Sequence, residues 1–469
     1  MNEISLGVSS QTPLVRGSTD YEEILRKRGL KGGPLDISNF TEGEDYTFTA
    51  GGVTRMVFPL LRQMVGQGLL RDPHWISLNP IAPETLTVGK ITLKHVRIER
   101  ERMSGYSQAK EIIWKALHGI QREPVNSLFW QEEFVDYNYY NRVCSELINK
   151  LDEKNDFDLF YIHDFQQLPL AQMLHTLKPK IFRWHVPFDE SLIPEAWRQS
   201  LASWFNEYDV VVVSCKRYLE SLRKFGYGGE AHYIYPYLDL SAYRKPSPEE
   251  VENFDKKYGI NREDRVLLVV ARMDPMKGQD RAISGFAEVA RCYPNLKLVL
   301  VGDGSFSSSK QGLGLSKAEK WLAELRELAK SLGLENRVIF TGHLTHAELQ
   351  AAYERCELTI LPSVLEGFGL VVIESWLYKK PPIVSANAGI SELIKHGENG
   401  LLFNPNDPAD LADKLFYLLS DQNLSRILGE NGYNSSRKCS LEEGVKAEFE
   451  LMRKLVGFEE NMVLGNEPK

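Results

Sequence analysis

The sequence predicts an α/β protein made of two Rossmann-like domains, each a doubly wound parallel sheet. Three observations carry this. The chain has 469 residues, more than one ordinary core encloses. Short apolar strands alternate with helical patterns through the first half, as at 157–162, 181–184 and 209–213. The alternation pauses over 244–260, where a proline-bearing acidic stretch reads as a linker, and restarts with a buried strand at 265–271.

Composition narrows the function classes. Hydrophobic residues make up 43% and charged residues 26%, as in a water-soluble globular chain. The net charge of −8 argues against nonspecific nucleic-acid binding, which needs a basic face. Five scattered cysteines form no C-x-x-C pair, so reduced thiols in a cytoplasmic protein are expected. The opening MNEISLGVSS lacks the basic and apolar regions of a signal peptide. No run approaches the roughly 20 apolar residues of a membrane helix.

In chain order, 4–8 reads as the first strand. Residues 10–46 read as a polar excursion of irregular structure with one short helix, Tyr21–Arg28. Gly51-Gly52 then opens a helix; this is a weak phosphate-loop signal, equally explained by a plain turn. Strands are expected at 75–78 and 91–96, and helices at 107–118 and 132–150. The strand at 157–162 leads into His163 and Asp164, and that at 181–184 into His185. Both put polar groups at the carboxyl end of a strand, where open α/β sheets bind ligands. A satisfied structural histidine explains His185 as well.

In the second half, the strand at 265–271 ends in a loop holding Arg272 and Lys277. Two cations at a strand tip can neutralise a diphosphate, Arg with a planar fork and Lys with a compact charge; two solvated surface cations are the alternative. The strand at 296–301 precedes Gly302-Asp303-Gly304, and the strand at 338–340 precedes Gly342 and His343. A polar insertion at 305–316 is expected to be mobile, with a solvated helix at 317–332. The strand at 357–361 leads through Pro362-Ser363 to Glu366, Gly367, Phe368, Gly369 and Leu370, then a helix carrying Glu374. A glycine turn lets a ligand approach the backbone, and the helix start offers free N–H groups to phosphate. A plain strand–turn–helix with one solvated glutamate is the alternative. After this come a strand at 382–385, a turn and helix at 387–393, and a terminal helix at 440–455, with fraying from about 459.

The stretch LPSVLEGFGLVVIE, with Glu366 and Glu374 eight positions apart, resembles the E-x7-E signature of glycosyltransferase family four. The loop R-x-x-x-x-K-G at 272–278, the V-G-x-G turn at 301–304 and the turn at 387–393 resemble further motifs of the same family. The nearest branch holds trehalose synthase of the glycosyl-transferring type, sucrose-phosphate synthase and glycogen synthase. The resemblance implies a GT-B fold, two Rossmann-like domains facing a central cleft. It implies an acceptor-binding domain over 1–245 with an insertion at about 10–46, a nucleotide-sugar domain over 246–435, and a segment at 436–469 returning to the first domain. Roles follow from it too: Arg272 and Lys277 on the leaving diphosphate, Glu366 on sugar hydroxyls and Glu374 on the ribose. His185, in RWHVPF, falls near the donor sugar. Gly51, Gly52, Gly302, Gly342, His343 and Gly367–Leu370 line the donor. The insertion of roughly forty residues between first strand and Gly51-Gly52 departs from the family and is expected to line the acceptor pocket.

The implied activity is retaining transfer of a hexose, glucose first, from UDP- or ADP-glucose to a soluble sugar or small hydroxyl acceptor. No cofactor or metal is expected, since no D-x-D loop stands at a strand end. The partners expected are the donor and acceptor alone, without nucleic acid or membrane; a homodimer stays open. A nucleotide-sugar epimerase on the same fold and a noncatalytic nucleotide-sugar-binding subunit are the competing readings.

Overall fold

The computed structural model describes residues 3–30, 35–49, 51–120, 132–304 and 313–457. The chain divides into two compact units. The N-terminal unit comprises Met1–Ser214, Tyr218–Ile234 and Leu441–Lys469, and the C-terminal unit Cys215–Arg217 and Tyr235–Ser440.

The strands of the N-terminal unit are β1 (Ile4–Ser10), β2 (Val15–Gly17), β3 (Leu35–Asp36), β4 (Tyr46–Phe48), β5 (Leu70–Leu78), β6 (Thr85–Val88), β7 (Ile91–Val96), β8 (Leu159–His163), β9 (Lys180–Arg183), β10 (Val210–Val213) and β11 (Glu230–Tyr233). Nine form one sheet in the order β11-β10-β9-β8-β1-β5-β7-β6-β3. Chain order reverses at β1, whose neighbours are β5 and β8. Its middle strands are buried on both faces, as sheets covered by helices on both sides require: every residue of β1, β8 and β10 is buried.

Two expectations need correction here. The 10–46 excursion is not irregular apart from its helix. Val15 pairs with Phe48 in the antiparallel β2–β4 ribbon, and Leu35 pairs with Leu86 to extend the main sheet. These strands are two or three residues long, too short for alternation to register in sequence. Nor is the sheet wholly parallel, because β6 and β7 form an antiparallel hairpin. Two helices also begin earlier than their apolar spacing indicated, Arg100–Leu117, whose polar first turn hides the start, and Leu313–Ser331. The expected mobile insertion falls mostly outside the described residues, as do Lys31–Pro34 and the tail from 458.

The strands of the C-terminal unit are β12 (Arg265–Val270), β13 (Leu296–Val301), β14 (Val338–Gly342), β15 (Leu358–Leu361), β16 (Pro382–Ser385) and β17 (Leu401–Phe403). All pairings are parallel, in the order β14-β13-β12-β15-β16-β17. Counted from β12 as strand one, this is the dinucleotide-fold order 3-2-1-4-5-6. Leu267 and Val269 enter one apolar cluster, and Val266 and Leu268 enter another. Alternate side chains of one strand thus serve two helical layers.

The terminal helix Leu441–Val456 belongs to the N-terminal unit and is anchored there by charge. Glu448 accepts from Arg183 Nη1 at 2.6 Å and from the Tyr161 hydroxyl at 2.9 Å, and both ion-pair side chains are fully buried. Arg183 Nη2 also donates to the Ile234 carbonyl at 2.8 Å.

Candidate active site

In the C-terminal sheet the chain order reverses between β12 and β15. Loops leaving adjacent strands at such a reversal part to opposite faces and open a crevice at the carboxyl ends. The loop after β12 carries Arg272 and Lys277; the loop after β15 carries Glu366 and the Gly367–Gly369 turn.

The two loops interlock. Lys277 Nζ donates to Glu366 Oε2 at 2.6 Å, and the Val364 amide donates to the Met276 carbonyl at 2.9 Å. Gly278 sits at φ +68, and a Cβ there would overlap the Pro362 carbonyl. Only glycine gives both the left-handed backbone and the clearance. Asp274 caps the short helical turn Pro275–Lys277 through the Met276 amide, and Gln279 Nε2 donates to the Arg272 carbonyl at 2.6 Å.

On its other side the glutamate turn is held by the segment after β16. The Gly389 amide donates to the Glu366 carbonyl at 3.1 Å, the Ile390 amide to the Phe368 carbonyl at 2.9 Å, and Asn387 Nδ2 to the Val364 carbonyl at 2.9 Å. Gly369, at φ +111, starts the helix Leu370–Leu377 with no side-chain cap on its first turn. The first amides of that helix are therefore suited to an anion.

Burial pushes the Glu366 carboxyl up, but Lys277, the Ser363 hydroxyl at 3.0 Å and Arg272 outweigh it, and the net shift is downward. Glu366 is thus a carboxylate at neutral pH. Burial lowers the Arg272 guanidinium, while Asp274 and Glu366 act to raise it. The Lys277 and Glu366 side chains remain 19% and 17% exposed, open enough to meet a ligand.

Gly302 and Gly342 lie beside this crevice, with the Gly302 amide donating to the Gly342 carbonyl at 3.0 Å and the Met273 amide to the Asp303 carbonyl at 3.0 Å. His343 is exposed on the same rim. Phe368 is buried against the Tyr235 ring, with centroids 5.8 Å apart, and Leu370 packs beside it. Glu374 is fully buried; its oxygens accept from the Tyr243 hydroxyl at 2.7 Å and the Tyr353 hydroxyl at 2.6 Å.

His185, Gly51 and Gly52 belong to the N-terminal unit. Gly51 is the N-cap of the helix Gly52–Gly66, and Thr54 Oγ1 donates to the Gly51 carbonyl at 2.8 Å. His185 follows β9, and its Nε2 lies 3.0 Å from His163 Nδ1 at the end of β8. Asp164, next in chain, has φ +70 and ψ 167, a backbone region that side chains other than glycine enter only under strain. Burial pushes its carboxyl up to about 7 against the backbone N–H groups of Phe165, His185 and Val186.

Sequence reasoning missed Ser363, Gln279, Tyr243 and Tyr353. Ser363 stands three residues before Glu366 and was within reach of turn chemistry. Tyr243 lies 131 positions from Glu374, and nothing in the sequence links them. Among the described residues, no group of three or more His, Cys, Asp or Glu is placed to hold a metal ion, and no helix is long and apolar enough to cross a membrane.

The two sheets and their strand orders define a GT-B protein. The structure of sucrose-phosphate synthase from Thermosynechococcus elongatus matches with a TM-score of 0.70 at 18% identity, covering 97% of this chain and 99% of that one. A family model described as glycosyl transferases group 1 matches residues 250–435, and one described as trehalose synthase, N-terminal domain, matches residues 96–220. The chain thus has the GT-B fold and matches glycosyltransferase-type family models over 96–220 and 250–435. Among curated relatives, D-inositol 3-phosphate glycosyltransferase of Corynebacterium jeikeium is 26% identical over 63% of this chain and 68% of its own length. Trehalose synthase of Thermococcus litoralis is 27% identical over 59% of this chain and 64% of its own length. Several other curated matches span about half of the relative's length.

Proposed function

We propose that the chain transfers a hexosyl group, glucosyl first, from a nucleoside diphosphate sugar to a hydroxyl of a small soluble sugar, with retention at the anomeric carbon. The observation that carries this is the convergence of Arg272 and Lys277 on Glu366 beside an uncapped helix start, at the chain reversal of a dinucleotide-type sheet. Cleaving the bond between sugar and diphosphate puts negative charge on the departing phosphate and positive charge on the sugar ring. Fixed cations and amides stabilise the first without reorganising, a term of several kcal/mol. Glu366, ionised and pinned on two sides, accepts from sugar hydroxyls and holds the ring for attack. Glu374 takes the ribose hydroxyls, and Gly302 and Gly342 let the nucleotide approach the backbone. The acceptor is held by the N-terminal unit, which carries His185 and the Gly51-Gly52 helix start. The relatedness to a trehalose synthase favours glucose as donor sugar and as acceptor.

The test is a donor and acceptor panel with the products followed by proton NMR. An α-linked product from an α-linked donor, formed only when acceptor is present, is expected. Inversion at the anomeric carbon, or interconversion of donors without acceptor, as an epimerase would give, would overturn the reading.

A further inference from the structure

His163 and His185 share one hydrogen bond, Nδ1 of the first to Nε2 of the second at 3.0 Å, with ring planes 23° apart. Both lie in the N-terminal unit, one at the end of β8 and the other just past β9. His163 is fully buried, and its other nitrogen, Nε2, has no hydrogen-bond partner among the described residues. Burial drives both imidazoles toward neutrality, and the Arg183 cation adds to this. Each neutral ring carries one N–H, so two arrangements are open. If His185 donates, the remaining N–H of His163 is a donor sealed in the interior without an acceptor. If His163 donates, its sealed nitrogen is a bare lone pair. Orphaned buried N–H groups are the rarer and costlier kind.

We infer that His163 is a positioning residue that fixes the tautomer of His185: His163 Nδ1–H donates to His185 Nε2, which leaves His185 with its proton on Nδ1. His185 is half-buried, and its Nδ1, unlike His163 Nε2, is not among the sealed and unpartnered side-chain atoms. His185 is then a hydrogen-bond donor to an oxygen and has no free lone pair with which to act as a base. This deepens the proposed function and rests on it for the meaning of His185 in transfer; the tautomer itself does not depend on that reading.

The experiment is 15N NMR of the full-length chain labelled in histidine, with the His185 signals assigned by their loss in His185→Gln. In the wild type, His185 is expected to show a protonated Nδ1 and an unprotonated Nε2. In His163→Phe the donor is gone, and His185 shifts toward the Nε2–H form that free imidazole side chains prefer. In His163→Asn the side-chain amide stands where Nδ1–H stood, and the Nδ1–H form returns. His163→Asn also guards against a misfolded phenylalanine variant. A wild-type His185 protonated on Nε2, or a tautomer unmoved in a folded His163→Phe, overturns the inference. The transfer rate is read separately. A roughly tenfold fall in kcat in His163→Phe, with KM little changed and recovery in His163→Asn, is expected. A tautomer that shifts while kcat stays constant removes His185 from the reaction but leaves the relay intact.

Discussion

Lys277 and Glu366 are 89 positions apart in the chain and 2.6 Å apart in the fold. Replacing Lys277 with alanine removes a cation that the leaving group needs, while Arg272 and the Ser363 hydroxyl still stabilise the Glu366 carboxylate in the fold. Turnover is expected to fall about 10²–10³-fold with the melting temperature changed by only a degree or two, measured by steady-state rates beside calorimetry. A melting temperature that drops with the rate would make Lys277 a structural residue. Asp164 gives a test in pH. Its folded value of about 7 lies above its ordinary 3.8, so folding favours the protonated form. The stability it contributes is complete below about pH 4 and is lost as the pH rises through 7. The buried histidines act in the opposite sense, but equally in both proteins. Asp164→Asn should therefore gain on the wild type between pH 5 and 8 by on the order of 2 kcal/mol, read from urea midpoints at the two pH values. A constant difference would show that Asp164 is ionised without penalty.

At the scale of elements, the candidate site depends on how closely two loop tips meet. Gly278→Ala forces a left-handed alanine against the Pro362 carbonyl. The expected cost is at least about 2 kcal/mol, together with a loss of turnover greater than the loss of stability explains, because the Lys277–Glu366 contact opens. Equilibrium unfolding and kcat measured on one preparation check both. The elements themselves were largely legible. Tyr21–Arg28 reads directly from its apolar spacing, its acidic start and its basic end. The strand β12 reads from an unbroken apolar run, because a strand covered on both faces has no polar side to alternate with. The short ribbons of 10–46 were not legible, since pairing of two or three residues is decided by the partner strand.

At the scale of the whole molecule, the chain returns at its end to the unit where it began, and one buried ion pair marks the return. Glu448→Ala would leave the Arg183 charge buried without its carboxylate. A loss of about 3–5 kcal/mol is expected in the N-terminal unit, against a much smaller loss for the double replacement Arg183→Met with Glu448→Leu. Chemical unfolding followed by tryptophan fluorescence would distinguish the two, and equal losses would mean that the pair acts only through packing.

From the residues alone came the class of fold, the restart of the pattern in the second half, and the cations, carboxylates and glycines of the candidate site, because these depend on local spacing and on chemistry at strand ends. The tertiary structure alone decided that strand order reverses between β12 and β15, that Lys277 meets Glu366, that two distant tyrosines hold Glu374, and that His163 touches His185. Local spacing states which side chains stand at a strand's end; only the pairing of strands far apart in the chain states which ends are neighbours.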